Sequence, residues 1–368
     1  MQTPQAEKIL TKIMSWSVEE VAKERPLIEA LSSFKYNEYH QFFPGERFIE
    51  SLARWLVQFD SIDRKLAYDF VIRRLIFVSS DQMAHLVSIT YVEKVYPRLI
   101  TKTAEQLRLD KSLVKKISSS KEFIKNKRKS LFIGLSDGSR IDQFRRNSRA
   151  NNEQVYPTYS ISKGKADEMI KDLQNFAEGY EKDKFNSIYL IDDFTASGIS
   201  FFRENEGKGK ILKFFKLLFL KDDSKPNADR DALDVLIDKT NLDVHIIFYV
   251  ATKTAISRLQ QKILAWKTEN KIDFAFSVSA IQELDDSLKE ALVGDVGFED
   301  FLKKYFCNEI IDDHYKKGNH ENPHFGFDEC GLPIVLFHNT PNNALPILWF
   351  PEDLKFVGLF PRVTRHKE

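Results

Sequence analysis

The sequence predicts an α/β fold in which helices flank a parallel sheet, preceded by an all-helical N-terminal domain. The first observation is a series of short apolar runs at residues 130–134, 187–191, 243–251 and 271–280. The second is helical periodicity between several of these runs, at residues 164–180 and 252–266. Strands that alternate with helices form βαβ units, and such units build a parallel sheet.

Residues 1–125 are expected to form a helical accessory or docking domain. One segment repeats apolar residues at the spacing of a helix face, namely Phe48, Leu52, Trp55, Leu56 and Phe59. Further helices are expected at residues 62–77, 80–99 and 102–117. A charged stretch at residues 121–129 then marks the expected start of a second domain, residues 126–368.

Composition and charge exclude several classes of protein. The net charge is only +1, so the overall charge indicates neither a dominant nucleic-acid role nor a membrane-surface role. No segment approaches the roughly 18 consecutive apolar residues that a membrane-spanning helix needs. The two cysteines, Cys307 and Cys330, provide no disulfide framework. We therefore expect a soluble, cytoplasmic protein with no membrane partner.

One segment, residues 188–200, carries the clearest chemical signal. An apolar strand leads into Asp192 and Asp193, and a turn of small residues around Gly198 follows. Ligands of open α/β sheets bind at this edge of the sheet. The N–H groups of a turn that enters a helix bind anions, while paired carboxylates can hold ribose hydroxyls or Mg²⁺ through water. The segment therefore predicts a site for a phosphorylated ribose.

The same segment resembles the motif with which type I phosphoribosyltransferases bind phosphoribosyl pyrophosphate (PRPP). It matches the motif at every fixed position, from the two acidic residues to the final Thr or Ser. The resemblance implies a phosphoribosyltransferase-like fold in which Asp192 and Asp193 are catalytic and hold Mg²⁺, possibly through water molecules. It assigns binding of the 5′-phosphate to Thr195, Ala196, Ser197, Gly198, Ile199 and Ser200.

A pyrophosphate loop lies upstream in that family, after the first core strand. The resemblance gives this role to Gly134, Ser136, Asp137, Gly138 and Ser139. Arg140 follows the loop and is expected to neutralise the pyrophosphate, as a third catalytic residue. Residues 142–164 are cationic and polar, and we expect them to form a mobile flap of low order over the reacting centre.

The C-terminal residues, about 300–368, are expected to form a hood that recognises the base. An apolar strand at residues 331–337 would place His338 and Asn339 at its C-terminal end, and the Asn342 amide could read a base edge. The alternative is a plain turn, because Asn-Thr-Pro-Asn-Asn is ordinary turn chemistry. Both interpretations stay open.

Residues 325–349 and 54–59, with the PRPP motif, resemble phosphoribosyltransferase-like proteins of bacterial anti-phage defence systems, some of which accompany retrons. This implies an effector that acts on PRPP or a nucleotide by transfer or cleavage at ribose C1. It also implies a possible partner, namely a reverse transcriptase with its noncoding RNA or a regulatory protein. A catalytically inactive sensor of PRPP or nucleotides is the main alternative, since the sequence names no general base. A scaffold that docks partners through residues 1–125 is a third hypothesis.

Three further features allow a functional and an ordinary interpretation. His314, His320 and His324 could bind zinc, but no paired metal-binding motif is present, so a polar loop is preferred. The basic residues of 102–129 could contact nucleic acid, although a solvated helix face is the commoner explanation. Residues 206–210 contain glycines and lysines without the spacing of a phosphate loop, and we expect an exposed turn there.

Overall fold

The protein is described by a computed structural model that covers residues 3–39, 47–203, 206–220, 228–351 and 354–362. The helices of these ranges are, in chain order, α1 Thr3–Met14, α2 Val18–Phe34, α3 Phe48–Val57, α4 Arg64–Arg73, α5 Ser80–Thr90, α6 Tyr96–Leu107, α7 Val114–Ser118, α8 Lys121–Arg128, α9 Ile141–Ser148, α10 Lys163–Gln174, α11 Lys210–Phe219, α12 Ala228–Leu236, α13 Lys253–Glu269, α14 Ser287–Val293, α15 Val296–Lys304 and α16 Pro346–Trp349. The strands are β1 Ile76–Val78, β2 Ser130–Gly134, β3 Val155–Tyr156, β4 Ser187–Thr195, β5 Asp243–Thr252, β6 Ala275–Leu284 and β7 Ile334–Leu336.

The chain divides into two compact units. The first combines residues 1–83 with residues 285–368, and the second comprises residues 84–284. The sequence predicts a boundary near residue 125 and groups residues 300–368 with the α/β domain. The compact units have different limits, because the C-terminal segment packs with the N-terminal helices. The roles given to the predicted domains stay predictions.

The second unit contains a five-stranded sheet whose neighbouring strands are all parallel. The strand order is β3-β2-β4-β5-β6, so the chain crosses between β3 and β4 and then continues outward through β5 and β6. The order therefore reverses between β2 and β4, and a crevice opens at the carboxyl ends of strands at such a point. The predicted fold class is confirmed, including the helical N-terminal region.

The central strands form where the sequence predicts them, since their residues are almost wholly apolar. Strand β2 is buried along its whole length, and the first six residues of β4 are buried as well. Strand β4 runs further than predicted, to Thr195, because its final residues pair with β5 after β2 has ended at Gly134. The last four residues of β4 therefore extend beyond its neighbour on one side.

In the first unit, the N-terminal segment of the chain packs against the C-terminal segment. Strand β1 pairs in parallel with β7, which joins Ile76 to Ile334 in a two-stranded sheet. The Trp55 indole N–H donates to the carbonyl oxygen of Ile347 over 3.1 Å. The Tyr39 hydroxyl donates to the carbonyl oxygen of Pro361 over 2.7 Å. These buried bonds link the N-terminal helices to the C-terminal segment.

Three local predictions differ from the structure. The helix predicted at residues 62–77 ends at Arg73, because the next apolar residues pair as β1 with a distant strand. The helix predicted at residues 80–99 continues to Leu107, because a π-helical turn at Tyr91–Val95 joins α5 to α6. The strand predicted at residues 331–337 contains only Ile334–Leu336 and belongs to the small sheet. Among the described residues, no helix combines the length and the apolar character required to cross a membrane.

Candidate functional site

The candidate site lies in the second unit, where the sheet order reverses. Asp192 and Asp193 belong to the part of β4 that extends beyond β2. The loop that follows β2 begins beside them, since the Leu135 N–H donates to the carbonyl oxygen of Ile191 over 2.9 Å. The two segments that the sequence assigns to one site are therefore brought together by adjacent parallel strands.

Asp192 is fully buried and has two hydrogen-bond donors. The Ser136 hydroxyl donates to its Oδ1 atom, and the Lys210 ammonium donates to its Oδ2 atom over 2.7 Å. Burial, reinforced by the neighbouring Asp193 carboxylate, raises the pKa of Asp192 from its ordinary value of 3.8 to about 6. The ammonium and the hydroxyl oppose this rise, because both favour the ionised carboxylate. The ionised form of Asp192 is therefore disfavoured by burial and partly stabilised by Lys210 and Ser136.

Asp193 differs from its neighbour because it is only partly buried. Its Oδ1 atom accepts the N–H of Phe194 over 2.8 Å, which fixes the side chain against its own strand. A Cβ atom on Gly138 would lie 2.3 Å from the Asp193 Oδ2 atom, so the carboxylate packs directly on the loop backbone. Only glycine at this position permits that approach.

Hydrogen bonds within the turn after β4, from the end of β5 and from α13 hold this turn in place. The Thr195 hydroxyl accepts the Gly198 N–H over 3.2 Å, and the Thr252 hydroxyl donates to the Ala196 carbonyl oxygen over 2.6 Å. The Arg258 guanidinium donates to the carbonyl oxygen of Ser197 over 2.8 Å. Gly198 has a φ of +74°, which L side chains rarely adopt. The backbone of the turn is therefore held in one conformation, in which the carbonyl groups of Ala196 and Ser197 are hydrogen-bonded.

The helix expected directly after this turn is absent. Helix α11 begins only at Lys210. Before it, Arg203 and Lys208 pair in an isolated antiparallel β-bridge. The turn still offers donors, since the N–H groups of Ser197 and Ser200 bond to no acceptor within the described part of the chain. Anion binding here would depend on these N–H groups and on the exposed Ser200 hydroxyl, without help from a helix dipole.

The loop after β2 folds back tightly on itself. A Cβ atom on Gly134 would lie 2.5 Å from the Ser139 hydroxyl oxygen and 2.8 Å from the Pro157 carbonyl oxygen. The Tyr249 hydroxyl, on β5, donates to the Ser139 carbonyl oxygen over 2.6 Å. Burial, strengthened by the charges of Asp192 and Asp193, raises the pKa of Tyr249, so this phenol stays a donor. Half-buried Arg140 completes the loop in the left-handed region, with a φ of +46°.

Residues 142–164 contain regular structure, contrary to the expected flap of low order. Most of α9 and all of β3 lie there, and β3 pairs with β2 through Phe132 and Val155. The polar sequence misled the prediction, because the apolar residues Ile141 and Phe144 bury one face of α9. The Gln154 side chain also anchors the segment, since its amide donates to the Ser130 carbonyl oxygen over 3.0 Å.

Two residues of the site escaped the sequence-based prediction. The sequence predicts an exposed turn at Lys210, yet its ammonium is the partner of buried Asp192. Tyr249 lies in the apolar strand predicted at residues 243–251, and its hydroxyl holds the loop after β2. No spacing rule would find Lys210, whereas a tyrosine near the carboxyl end of a core strand is a usable signal.

The residues proposed for base recognition lie in the first unit. His338 and Asn339 follow β7, and the Leu336 and Asn339 backbones exchange hydrogen bonds in a tight turn. The Asn342 carbonyl oxygen accepts the N–H of Phe327 over 2.8 Å. Strand β7 is parallel to its neighbour, as assumed, but that neighbour is β1. These residues therefore follow a strand of the two-stranded sheet and not a strand of the five-stranded sheet, and their role stays a prediction.

The three histidines considered for zinc have separate surroundings. The His314 ring stacks on Phe327 with centroids 5.3 Å apart, while His320 is exposed. Buried His324 has its Nε2 atom 3.7 Å from a Glu299 carboxylate oxygen, and burial lowers its pKa. Within the described ranges, no group of three or more His, Cys, Asp or Glu side chains is placed to hold a metal ion.

Several basic residues of 102–129 already have acidic partners in the second unit. Lys102 pairs with Asp243 over 2.6 Å, and Arg128 pairs with Glu153 with both side chains buried. Lys125 and Lys129 both contact Asp183. These cations are therefore partly neutralised, which favours a structural role over a nucleic-acid face.

The donor set at the sheet edge can accept Mg²⁺ only in part. Oxygen ligands of the required hard type are present in Asp192 and Asp193. Lys210, however, holds Asp192 and places a positive charge where a direct metal bond would form. Asp193 fits a magnesium ion bound through water, since its carboxylate lies at the partly exposed edge.

Comparison with models of known protein families found a match. The family model named PRTase-CE matches residues 52–362, which is most of the chain. Comparison with curated proteins and comparison with solved structures each gave no match. The family match includes both β-strand loops described above.

Proposed function

The chain belongs to the PRTase-CE family, a phosphoribosyltransferase-like family, and from this premise we propose that it acts on PRPP or a nucleotide at ribose C1. The proposed reaction transfers or cleaves the group at that carbon. One observation carries the proposal: the loop after β2 and the turn after β4 meet at the buried Asp192 and the partly exposed Asp193. The sheet order reverses at this place, which is where open α/β sheets bind ligands.

Each segment has a distinct proposed task. The N–H groups of Ser197 and Ser200 bind the 5′-phosphate, and the loop from Gly134 to Arg140 binds pyrophosphate. Asp193 accepts hydrogen bonds from the ribose hydroxyls. Mg²⁺, bound through water at Asp193, would supply positive charge that stabilises the departing pyrophosphate. Asp192, held by Lys210 and Ser136, supports the shape and the charge of this edge without direct metal contact.

The biological setting is a finer proposal. We base an effector role in bacterial anti-phage defence, such as that of a retron, on the resemblance of residues 54–59 and 325–349 to such proteins. In that role, the protein would respond to a reverse transcriptase with its noncoding RNA, or to a regulatory protein. Loss of phage protection in a variant that cannot bind PRPP would support this setting.

A sensor without turnover is the second candidate function. The ion pair between Lys210 and Asp192 favours it, because the pair occupies one of the two carboxylates that the family resemblance assigns to catalysis. A sensor would bind PRPP or a nucleotide and become more stable, because a ligand that binds only the folded state stabilises it. It would release no product.

Mass spectrometry of nucleotide pools separates the two functions. Purified protein, Mg²⁺ and PRPP are added to a cell-free metabolite extract, beside the double variant Asp192→Asn/Asp193→Asn. The matched control is Asp312→Asn/Asp313→Asn, an adjacent and exposed aspartate pair in the first unit. An enzyme changes at least one metabolite with the wild type and the control, but not with the site variant. Unchanged pools together with a raised melting temperature in PRPP indicate the sensor.

A further inference from the structure

Tyr249 is a fully buried side chain of β5 that lies beside the candidate site. Its two neighbours along β5 pair with Asp192 and Phe194 on β4, so Tyr249 itself is opposite Asp193. Side chains at matching positions of adjacent parallel strands lie on the same face of a sheet. The Tyr249 ring and the Asp193 carboxylate are therefore lateral neighbours at the carboxyl ends of these strands.

The loop after β2 contacts both of these residues. The Gly138 backbone packs directly on the Asp193 carboxylate. The carbonyl oxygen of the next residue, Ser139, accepts the Tyr249 hydroxyl over 2.6 Å. Consecutive loop residues are thus attached to two neighbouring strands, to β4 through Asp193 and to β5 through Tyr249. The Tyr249 bond holds the end of the loop that leads into α9.

This hydrogen bond fixes the orientation of one peptide unit. A trans peptide is planar, and its C=O and N–H groups point in opposite directions. Because the Ser139 carbonyl points at the Tyr249 hydroxyl, the Arg140 N–H points away from the phenol. Asp137–Ser139 form a turn of 3₁₀ helix, and Arg140 is left-handed, with a φ of +46° and a ψ of +38°. A right-handed residue followed by a left-handed one turns successive N–H groups to one side, a backbone geometry that binds anions.

The left-handed residue in this loop has to be held in place. Such a backbone is unfavourable for a residue with a Cβ atom and persists where surrounding contacts impose it. Here the Tyr249 bond precedes Arg140, and the Phe144 N–H donates to the Arg140 carbonyl oxygen over 3.0 Å. The next N–H groups, of Ile141 and Asp142, bond to no acceptor in the part of the chain that the structure describes. The loop is therefore held in a strained conformation that leaves backbone donors available.

We propose that Tyr249 is a positioning residue for the pyrophosphate group of the ligand. Its hydroxyl keeps the loop in the conformation that presents backbone N–H groups to the pyrophosphate. This role rests on the proposed function, in which the loop from Gly134 to Arg140 binds that group. It adds that the affinity for pyrophosphate depends on one hydroxyl of β5, outside both loops of the site. Phenylalanine at this position would keep the ring and leave the Ser139 carbonyl without its donor.

Isothermal titration of the full chain tests this role with two probes, pyrophosphate and ribose 5-phosphate, each in the presence of Mg²⁺. The test variant is Tyr249→Phe. Tyr189→Phe is the matched control, because Tyr189 is a buried tyrosine of β4 whose hydroxyl makes no hydrogen bond within the described ranges. Tyr249→Phe should bind pyrophosphate more weakly, by about fivefold to tenfold, the range of one neutral hydrogen bond. Its affinity for ribose 5-phosphate, and both affinities of the control, should equal those of the wild type.

Hydrogen exchange provides a second measurement. In Tyr249→Phe, the amides of residues 135–141 should exchange faster, while those of β2 and β4 keep their wild-type protection. In the wild type, pyrophosphate should slow exchange at Ile141 and Asp142, a result that requires no variant.

Three outcomes would overturn the role of Tyr249. These are unchanged pyrophosphate affinity in Tyr249→Phe, an equal loss for both probes, which indicates a merely structural contribution, and wild-type loop amides that pyrophosphate does not protect. Normal binding of PRPP by Tyr249→Phe would contradict this role and leave the proposed function intact. A wild-type protein that binds neither probe nor PRPP would contradict the proposed function itself, and the role of Tyr249 with it.

Discussion

The Lys210 ammonium lies 2.7 Å from the Oδ2 atom of Asp192, a carboxylate with no exposed surface. Lys210 is the first residue of α11, so the start of this helix is tied to the edge of the central sheet. The pair partly offsets the cost of a buried charge beside Asp193. The site is therefore stabilised by a residue outside the two loops that define it.

Replacing Lys210 with methionine should destabilise the fold. Asp192 loses its charged partner, and the Phe201 ring loses the ammonium that lies 5.0 Å from its centroid. Because Lys210 is partly exposed, we expect a loss on the order of 1–2 kcal/mol, less than a fully buried pair would give. Urea unfolding at pH 7.5 measures it. In the Asp192→Asn background the same change should cost less, because only the contact with the Phe201 ring is then lost. Equal losses in both backgrounds would show that the ion pair contributes no stability.

Asp192→Asn alone should stabilise the protein above pH 6. The raised pKa means that the folded state binds an extra proton between pH 3.8 and about 6. Stability contributed by the protonated carboxyl is therefore lost as pH rises through that window, on the order of 3 kcal/mol in total. The asparagine variant does not lose stability in this window, because its side chain has no proton to release. Unfolding free energies measured from pH 4 to pH 8 should converge at the acidic end and diverge towards pH 7. A constant difference across this range would contradict the raised pKa.

Gly138→Ala should weaken PRPP binding without unfolding the protein. The new methyl group would lie 2.3 Å from the Asp193 Oδ2 atom, so the carboxylate must turn away from the loop. Calorimetry with PRPP and Mg²⁺ should show affinity reduced by tenfold or more, while the melting temperature changes little. Gly164→Ala is the matched control, because a Cβ atom there meets nothing within 4 Å. If the two variants bind PRPP with equal affinity, the position of the Asp193 carboxylate does not affect PRPP binding.

His245→Asn should make the fold less sensitive to acid. Burial, with Arg98 and Lys102 nearby, lowers the pKa of His245 from 6.5 to about 3. The unfolded chain takes up this proton below pH 6.5, so the stability contributed by the neutral imidazole is lost as pH falls towards 3. At pH 5 the loss is about 2 kcal/mol relative to pH 8. Unfolding of both proteins at pH 8 and pH 5 should show a smaller decrease for the variant, and parallel decreases would count against the lowered pKa.

The sequence predicts the parallel sheet because local patterns determine it. Strand β2 occupies the predicted residues, since a short buried run bounded by a glycine has few alternatives. The adjacency of Asp192 and Ser136 also follows from sequence, because parallel neighbours bring their carboxyl ends to one edge. Such features depend on residues that are close in sequence or on adjacent strands.

The remaining features depend on packing between distant segments. Ile76–Val78 becomes a strand only because Ile334–Leu336 pairs with it, whereas the local pattern places Ile76 and Phe77 at the end of a helix. Lys210 has no local signature that distinguishes it from an exposed lysine. Its role follows from the position of α11 beside β4, which no pattern in the sequence determines.

The central claim is that this chain binds PRPP through Asp193 and the loops after β2 and β4. Isothermal titration of PRPP into the full chain, with and without Mg²⁺, tests it most directly. Asp273→Asn, which changes a fully exposed carboxylate of the same unit, serves as the control. We predict saturable binding that Mg²⁺ strengthens, that Asp193→Asn abolishes and that Asp273→Asn preserves. A folded wild-type protein that shows no binding at millimolar PRPP, or an Asp193→Asn variant that binds as well as the wild type, would contradict the claim.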